Sequence, residues 1–138
     1  MSSYDILEIG DPQAWTDPDG GPVAKRFIDK EIPTQYIGAS ANALEPGGEV
    51  PFWHSHDVLE EVYVFLAGRG QMAVGDDVVE VQAGSVVRVG PGVLRAWRAL
   101  PDSPGALRWL CIRAGGDTLE AIGRDGQLDR ERSMPWAE

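Results

Sequence analysis

Gly48-Glu49-Val50-Pro51-Phe52-Trp53-His54-Ser55-His56, followed by Glu61 and Gly68, is the stretch that decides how this chain is read. The chain contains two histidines, and both lie here, one residue apart. Side chains that alternate along a strand point to the same face, so both imidazoles can reach one ion. A carboxylate follows within a few residues. Two histidines and one carboxylate on one face form the facial set that suits non-haem Fe(II), and also Mn or Zn with water. The pairing carries more information than either histidine alone.

The spacing is G-x5-H-x-H-x4-E-x6-G from Gly48 to Gly68. In this it resembles the first motif of the cupin family. The second cupin motif, G-x5-P-x-G-x2-H-x3-N, finds its counterpart from Gly84 onward. Gly84, Pro91 (one position late) and Gly92 keep the frame, while Arg95 occupies the usual histidine position and Ala99 the asparagine. The resemblance covers roughly residues 35–113. It implies an all-β fold, the double-stranded β-helix or jelly-roll barrel, with a short extension before it (1–34) and a tail after it (114–138). It also implies metal ligation by His54, His56 and Glu61, with Fe, Mn, Zn or Ni as the ion. A site without metal is equally compatible with Arg95, because a guanidinium has no lone pair to offer and its charge repels a dication.

The carboxylate poses a question of phase. On an uninterrupted strand His54, His56 and Glu60 share a face and Glu61 points away. The family spacing selects Glu61, seven residues before Gly68. That choice requires a break in Asp57-Val58-Leu59-Glu60, and it leaves Glu60 as a solvated surface charge. Arg95 has two geometries open to it. Turned outward, it leaves a three-ligand open site. Turned inward, it bridges Glu61 and offers a bidentate anchor for a carboxylate or phosphate ligand. By strand parity Tyr63 and Phe65 share the interior with Glu61, and Trp97 shares it with Arg95. Trp53 faces away from His54, and Trp109 is core or interface.

Composition sets the outer limits. With 138 residues, 43 % of them hydrophobic, the chain is long and apolar enough for one globular domain. A net charge of −10 with no basic stripe excludes nucleic acid and disfavours an anionic membrane surface. The first residues, Met1-Ser2-Ser3-Tyr4-Asp5, lack the basic region and apolar core of a signal peptide, and no apolar run approaches a membrane span, so the cytoplasm is the default expectation. Cys111 is the single cysteine and lies in an apolar run, which reads as a buried inert thiol. No P-loop, dinucleotide fingerprint or nucleophile elbow is present.

Along the chain, residues 10–22 read as loop, with Trp15 packing down on the barrel. Residues 23–32 and 34–44 read as strands divided by Pro33. From Glu61 the β pattern is dense: Glu61–Leu66, Gln71–Val74, Val78–Val81, Ser85–Val89, Arg95–Ala99 and Leu107–Arg113, separated by glycine and proline turns. Residues 115–138 change character and read as a short helix and an extended tail anchored by Trp136. Apolar residues on both faces of Glu61–Leu66 and the five tryptophans point to a homodimer. The leading expectation is a small-molecule-binding protein with a polar pocket, suited to an anionic ligand. The alternatives are a metal-dependent enzyme of oxygenase or isomerase type and a sensory module without chemistry, since this fold alone does not settle activity.

Overall fold

The computed structural model describes residues 3–15 and 24–137. Of the loop expected over 10–22, residues 16–22 lie outside the described residues, as do residues 1, 2, 23 and 138. Among the described residues, ten strands form two five-stranded sheets. In chain order they are β1 (Lys25–Phe27), β2 (Gly38–Leu44), β3 (Trp53–His56), β4 (Glu60–Ala67), β5 (Arg69–Val74), β6 (Asp77–Gln82), β7 (Val86–Val89), β8 (Arg95–Ala99), β9 (Leu107–Ala114) and β10 (Gly126–Asp129). One sheet has the order β1-β2-β9-β4-β7 and the other β10-β3-β8-β5-β6, and every pairing is antiparallel. This is the expected jelly roll.

Alternation builds the layers. Along β4, Glu61, Tyr63, Phe65 and Ala67 are buried, whereas Val62, Val64 and Leu66 are half-buried on the other side. The inward rows meet Met72 of β5, Trp97 and Ala99 of β8, and Leu107, Trp109 and Cys111 of β9 in one central core. The chain passes from one sheet to the other between β4 and β5 at Gly68. This residue has φ +78°, and a Cβ there would sit 2.5 Å from the Ala106 carbonyl oxygen. Both facts admit only glycine. Gly75 opens the two-residue turn between β5 and β6.

Part of each outer face is covered by segments near the chain ends. Trp15 packs with Ala41, Ile9, Leu66 and Leu110 on one sheet, as the sequence leads one to expect. On the other, Met134 and Trp136 pack over Trp53, Ala73 and Ala96. Arg132 lies over the Trp53 ring at 4.2 Å, and Arg98 over Trp136 at 5.4 Å.

Two expectations need correction. The strand expected over 23–32 is only Lys25–Phe27, followed by one 3-10 turn at Ile28–Lys30, and residues 34–37 are not strand. The turn brings Asp29 back to accept from the Ala39 backbone N–H and from Arg113, which halts the strand. The tail contains the short helix, α1 (Leu119–Ile122), but its extended part includes a paired strand. β10 pairs with β3, so both sheets extend beyond residues 35–113.

Candidate functional site

His54 and His56 lie on β3 with Trp53 and Ser55 turned to the opposite face. β3 stops at His56, residues 57–59 turn, and β4 starts at Glu60. That break shifts the phase by one residue. Glu61 is therefore buried beside the histidines, while Glu60 is exposed and pairs with Arg88 at 2.7 Å.

The break has an identifiable cause. Asp125, just before β10, accepts the backbone N–H groups of Val58 at 2.9 Å and Leu59 at 2.8 Å through Oδ2. Its Oδ1 lies 2.8 Å from His56 Nδ1. A buried carboxylate thus holds the turn and orients the imidazole at once. Burial raises the Asp125 carboxyl, but the Leu59 N–H, His56 and the Val58 N–H outweigh it and keep the group below its ordinary value.

His54, His56 and Glu61 form a group whose ligand atoms all lie within 4.8 Å of one another, an arrangement that can hold a metal ion. His54 Nε2 is 3.3 Å and His56 Nε2 3.4 Å from Glu61 Oε1. Ligand atoms about 2.0–2.2 Å from a common ion have about this mutual spacing. Burial, helped by the neighbouring Arg95 and His56, pulls the His54 value down more than Glu61 raises it, which favours the neutral ring. Glu61 is drawn the other way. Burial opposes its charge, yet hydrogen bonds from His54, Cys111 and Tyr63 and the neighbouring His56 hold it well below the usual carboxylate range.

Two of those donors had different expectations attached to them. The Tyr63 hydroxyl donates to Glu61 Oε1, and the Cys111 thiol donates to Oε2 at 3.0 Å. Burial first, and Glu61 second, push the Cys111 thiol far up, so it is a fixed donor and not a nucleophile. Burial, Cys111 and Glu61 likewise push the Tyr63 hydroxyl well up.

The group opens on a cavity of about 610 Å³ whose walls are largely apolar and aromatic, Trp97 and Trp109 among them. His54, His56, Glu61 and Tyr63 all reach it. Phe65 and Arg95, expected in its lining, do not line it. Phe65 is fully buried against Trp109 in the core. Arg95 pairs in register with His54 but is fully enclosed. Its Nη2 lies 3.8 Å from Glu61 Oε1, and none of its three side-chain nitrogens has a hydrogen-bond partner. Arg95 has turned inward toward Glu61, through one long contact, but it stands behind Glu61 outside the cavity lining and offers no bidentate anchor to a ligand there.

Sequence reasoning missed Asp125 and the donor role of Cys111. Parity did carry a signal for Cys111, which alternates with Trp109 and Leu107 on the buried side of β9. Asp125 had no local signal, since its partner His56 is 69 residues away.

Comparisons with known proteins agree with this architecture. A family model described as the cupin domain matches residues 43–113. An uncharacterized protein of Methanocaldococcus jannaschii is 28 % identical over 71 residues, which is 51 % of this chain and 57 % of that relative. The match therefore spans little more than half of the relative's length. Among solved structures, a cupin protein from Bacteroides fragilis is 28 % identical with a TM-score of 0.71, covering 84 % of this chain and 87 % of that one. A cupin-like protein from Thermotoga maritima is 23 % identical with a TM-score of 0.60, covering 90 % and 87 %, and shares the fold.

Proposed function

The chain belongs to the cupin family, and from that premise we propose that it binds a small molecule in the cavity against a divalent transition metal held by His54, His56 and Glu61. The observation that carries this reading is the position of His56 between two carboxylates. Nδ1 faces Asp125 at 2.8 Å and Nε2 faces Glu61 at 3.4 Å. A neutral imidazole has one N–H, so one of its nitrogens must present a lone pair to a carboxylate. With Nδ1–H given to Asp125, a neutral ring turns its Nε2 lone pair toward Glu61, and a metal cation or a second proton between them relieves the clash, which the titration below distinguishes. A carboxylate on the far nitrogen is also the usual outer support of a metal-binding histidine.

Arg95 shapes what such a site prefers. Glu61 and Arg95 already cancel in charge, so a dication leaves the buried cluster positive. An anionic oxygen donor from the ligand offsets that excess, and the ion would supply a Lewis-acid point to hold it. The test is calorimetric titration of chelator-treated protein with Mn²⁺ and Zn²⁺, beside His56→Ala. One equivalent should bind to the native chain, with affinity at least about tenfold weaker in the variant. Equal binding by both proteins would contradict the proposal.

A homodimer is part of the same proposal. Val86 and Ile112 are exposed on the outer face of the first sheet, beside half-buried Val62 and Val64. Light scattering that reports a monomer over a wide concentration range would reject it. No helix among the described residues is long and apolar enough to cross a membrane.

A further inference from the structure

The cavity is lined by a second group of charged residues, of opposite sign to Glu61. Phe27 of β1 lines it, and three cations gather around that ring: Lys30 Nζ at 4.1 Å, Lys25 Nζ at 5.0 Å and the Arg113 guanidinium at 5.9 Å. Lys25 and Arg113 themselves line the cavity. Arg113 is held by both oxygens of Asp29, at 3.0 and 3.1 Å. It lies flat over Gly38, where a Cβ would meet its Cζ at 2.4 Å, so its place is built into the fold. Lys25 and Lys30 have no ion pair among the described residues. A chain of net charge −10 therefore places Lys25, without an ion pair among the described residues, at its cavity, with Lys30 beside the same Phe27 ring. Attraction to the Phe27 face does not neutralise them.

Arg113 is the register partner of Glu61, and the same cavity is also walled by two indole rings. Trp97 and Trp109 stack with ring centroids 5.7 Å apart and planes 19° from parallel. A volume of about 610 Å³ exceeds what an ion and its waters need and falls in the range of organic ligand sites.

We infer that the ligand is a small aromatic or otherwise planar apolar acid, its carboxylate met by Lys25 and Arg113 and its apolar body by Trp97 and Trp109. The inference rests on the cavity being the ligand site, and it adds the ligand's chemical class. It does not depend on the metal being present.

The test uses three probes of one shape: 4-hydroxyphenylacetate, the matching alcohol 4-hydroxyphenethyl alcohol, and the matching amine tyramine. Binding is read by calorimetry and by tryptophan fluorescence at low salt, on the full chain with and without added Mn²⁺. The acid should bind at least tenfold more tightly than the alcohol, with the amine weakest. Lys25→Gln, at an exposed position, should weaken the acid about three- to tenfold and leave the alcohol unchanged, and Lys25→Arg should restore it. Raising the salt should weaken the acid alone. Equal binding of acid and alcohol would overturn the inference, as would a preference that survives Lys25→Gln. Failure of all three probes on protein that binds Mn²⁺ would overturn this ligand class and leave the metal site standing. Acid preference without any Mn²⁺ binding would support the inference and remove the metal.

Discussion

His54 on β3 and Arg95 on β8 stand opposite each other in register, both turned inward, and they end in different places. The imidazole stops at the cavity wall, where it is partly open. The longer guanidinium runs behind the wall, loses all exposure and comes to rest 3.8 Å from the carboxylate that His54 also approaches. Glu61 is thus served from two sides. On the cavity side are groups that can share it with an ion. On the enclosed side is a cation that cannot leave. Side-chain direction is a property of the strand, whereas access to a cavity also depends on side-chain length and on what packs beside it.

The sharpest way to break this contrast is to remove its centre. Glu61→Gln leaves Arg95 enclosed with no counter-charge, and the loss of one member of a buried pair should cost about 3–5 kcal/mol. Arg95→Met removes three unpartnered nitrogens together with the charge, and Glu61 keeps its other donors, so it should cost far less, about 0–2 kcal/mol. Urea unfolding of both variants measures the asymmetry. Equal losses would mean that the two sides of Glu61 are equivalent.

Asp125 supports only the cavity side, so its removal should sharpen the comparison. Asp125→Asn can still accept from the turn but no longer presents a charged partner to His56. Metal affinity should fall roughly 10- to 100-fold, with a smaller loss of stability. Calorimetry on the variant checks this, and an unchanged affinity would reduce Asp125 to a turn-holding role.

How much of this was legible in the sequence depends on distance along the chain. The phase of Glu61 was readable, because the break it needs lies between two motif residues of one short segment. The strands from β4 to β9 were readable from alternation and from glycine and proline turns. β1 was overextended, because residues 23–32 are apolar enough for strand and nothing local announces that Asp29 will be drawn to Arg113, 84 residues away. β10 was missed, since Gly126–Asp129 is too polar and exposed to advertise itself, and its pairing to β3 supplies the reason it is extended. Arg95 was readable as inward-turned, but its separation from the cavity was not, because enclosure is set by several strands together.

Acidification should separate the two kinds of group in time. His54 is lowered in the folded protein, chiefly by burial, so its protonation favours the unfolded chain. Its contribution is complete above the ordinary histidine value of about 6.5 and is lost as the pH falls below it. Glu61 and Asp125 are also lowered, and their contribution is complete above the ordinary carboxylate values of about 4 and is lost below them. Metal-free protein should therefore lose stability in two stages between pH 8 and 3, seen in the urea midpoint. Glu61→Gln should flatten the lower stage. A single transition unaffected by that variant would contradict the assignment.

The smallest effect is expected just outside the wall. Glu60 neighbours Glu61 in sequence but forms an exposed pair with Arg88, so Glu60→Gln should change stability by about 0–0.5 kcal/mol and leave metal affinity alone. A loss comparable to that of Glu61→Gln would mean that the phase of β4 had been misassigned.

The most direct test of the central claim is a calorimetric metal titration of the native chain beside Arg95→His. The native protein should bind one equivalent of Mn²⁺ or Zn²⁺, and the variant should bind it at least about tenfold more tightly, a gain of ~1.4 kcal/mol. The change removes a fixed charge beside Glu61 and adds an imidazole lone pair on the same inward face. No binding by either protein would contradict the claim that His54, His56 and Glu61 hold an ion.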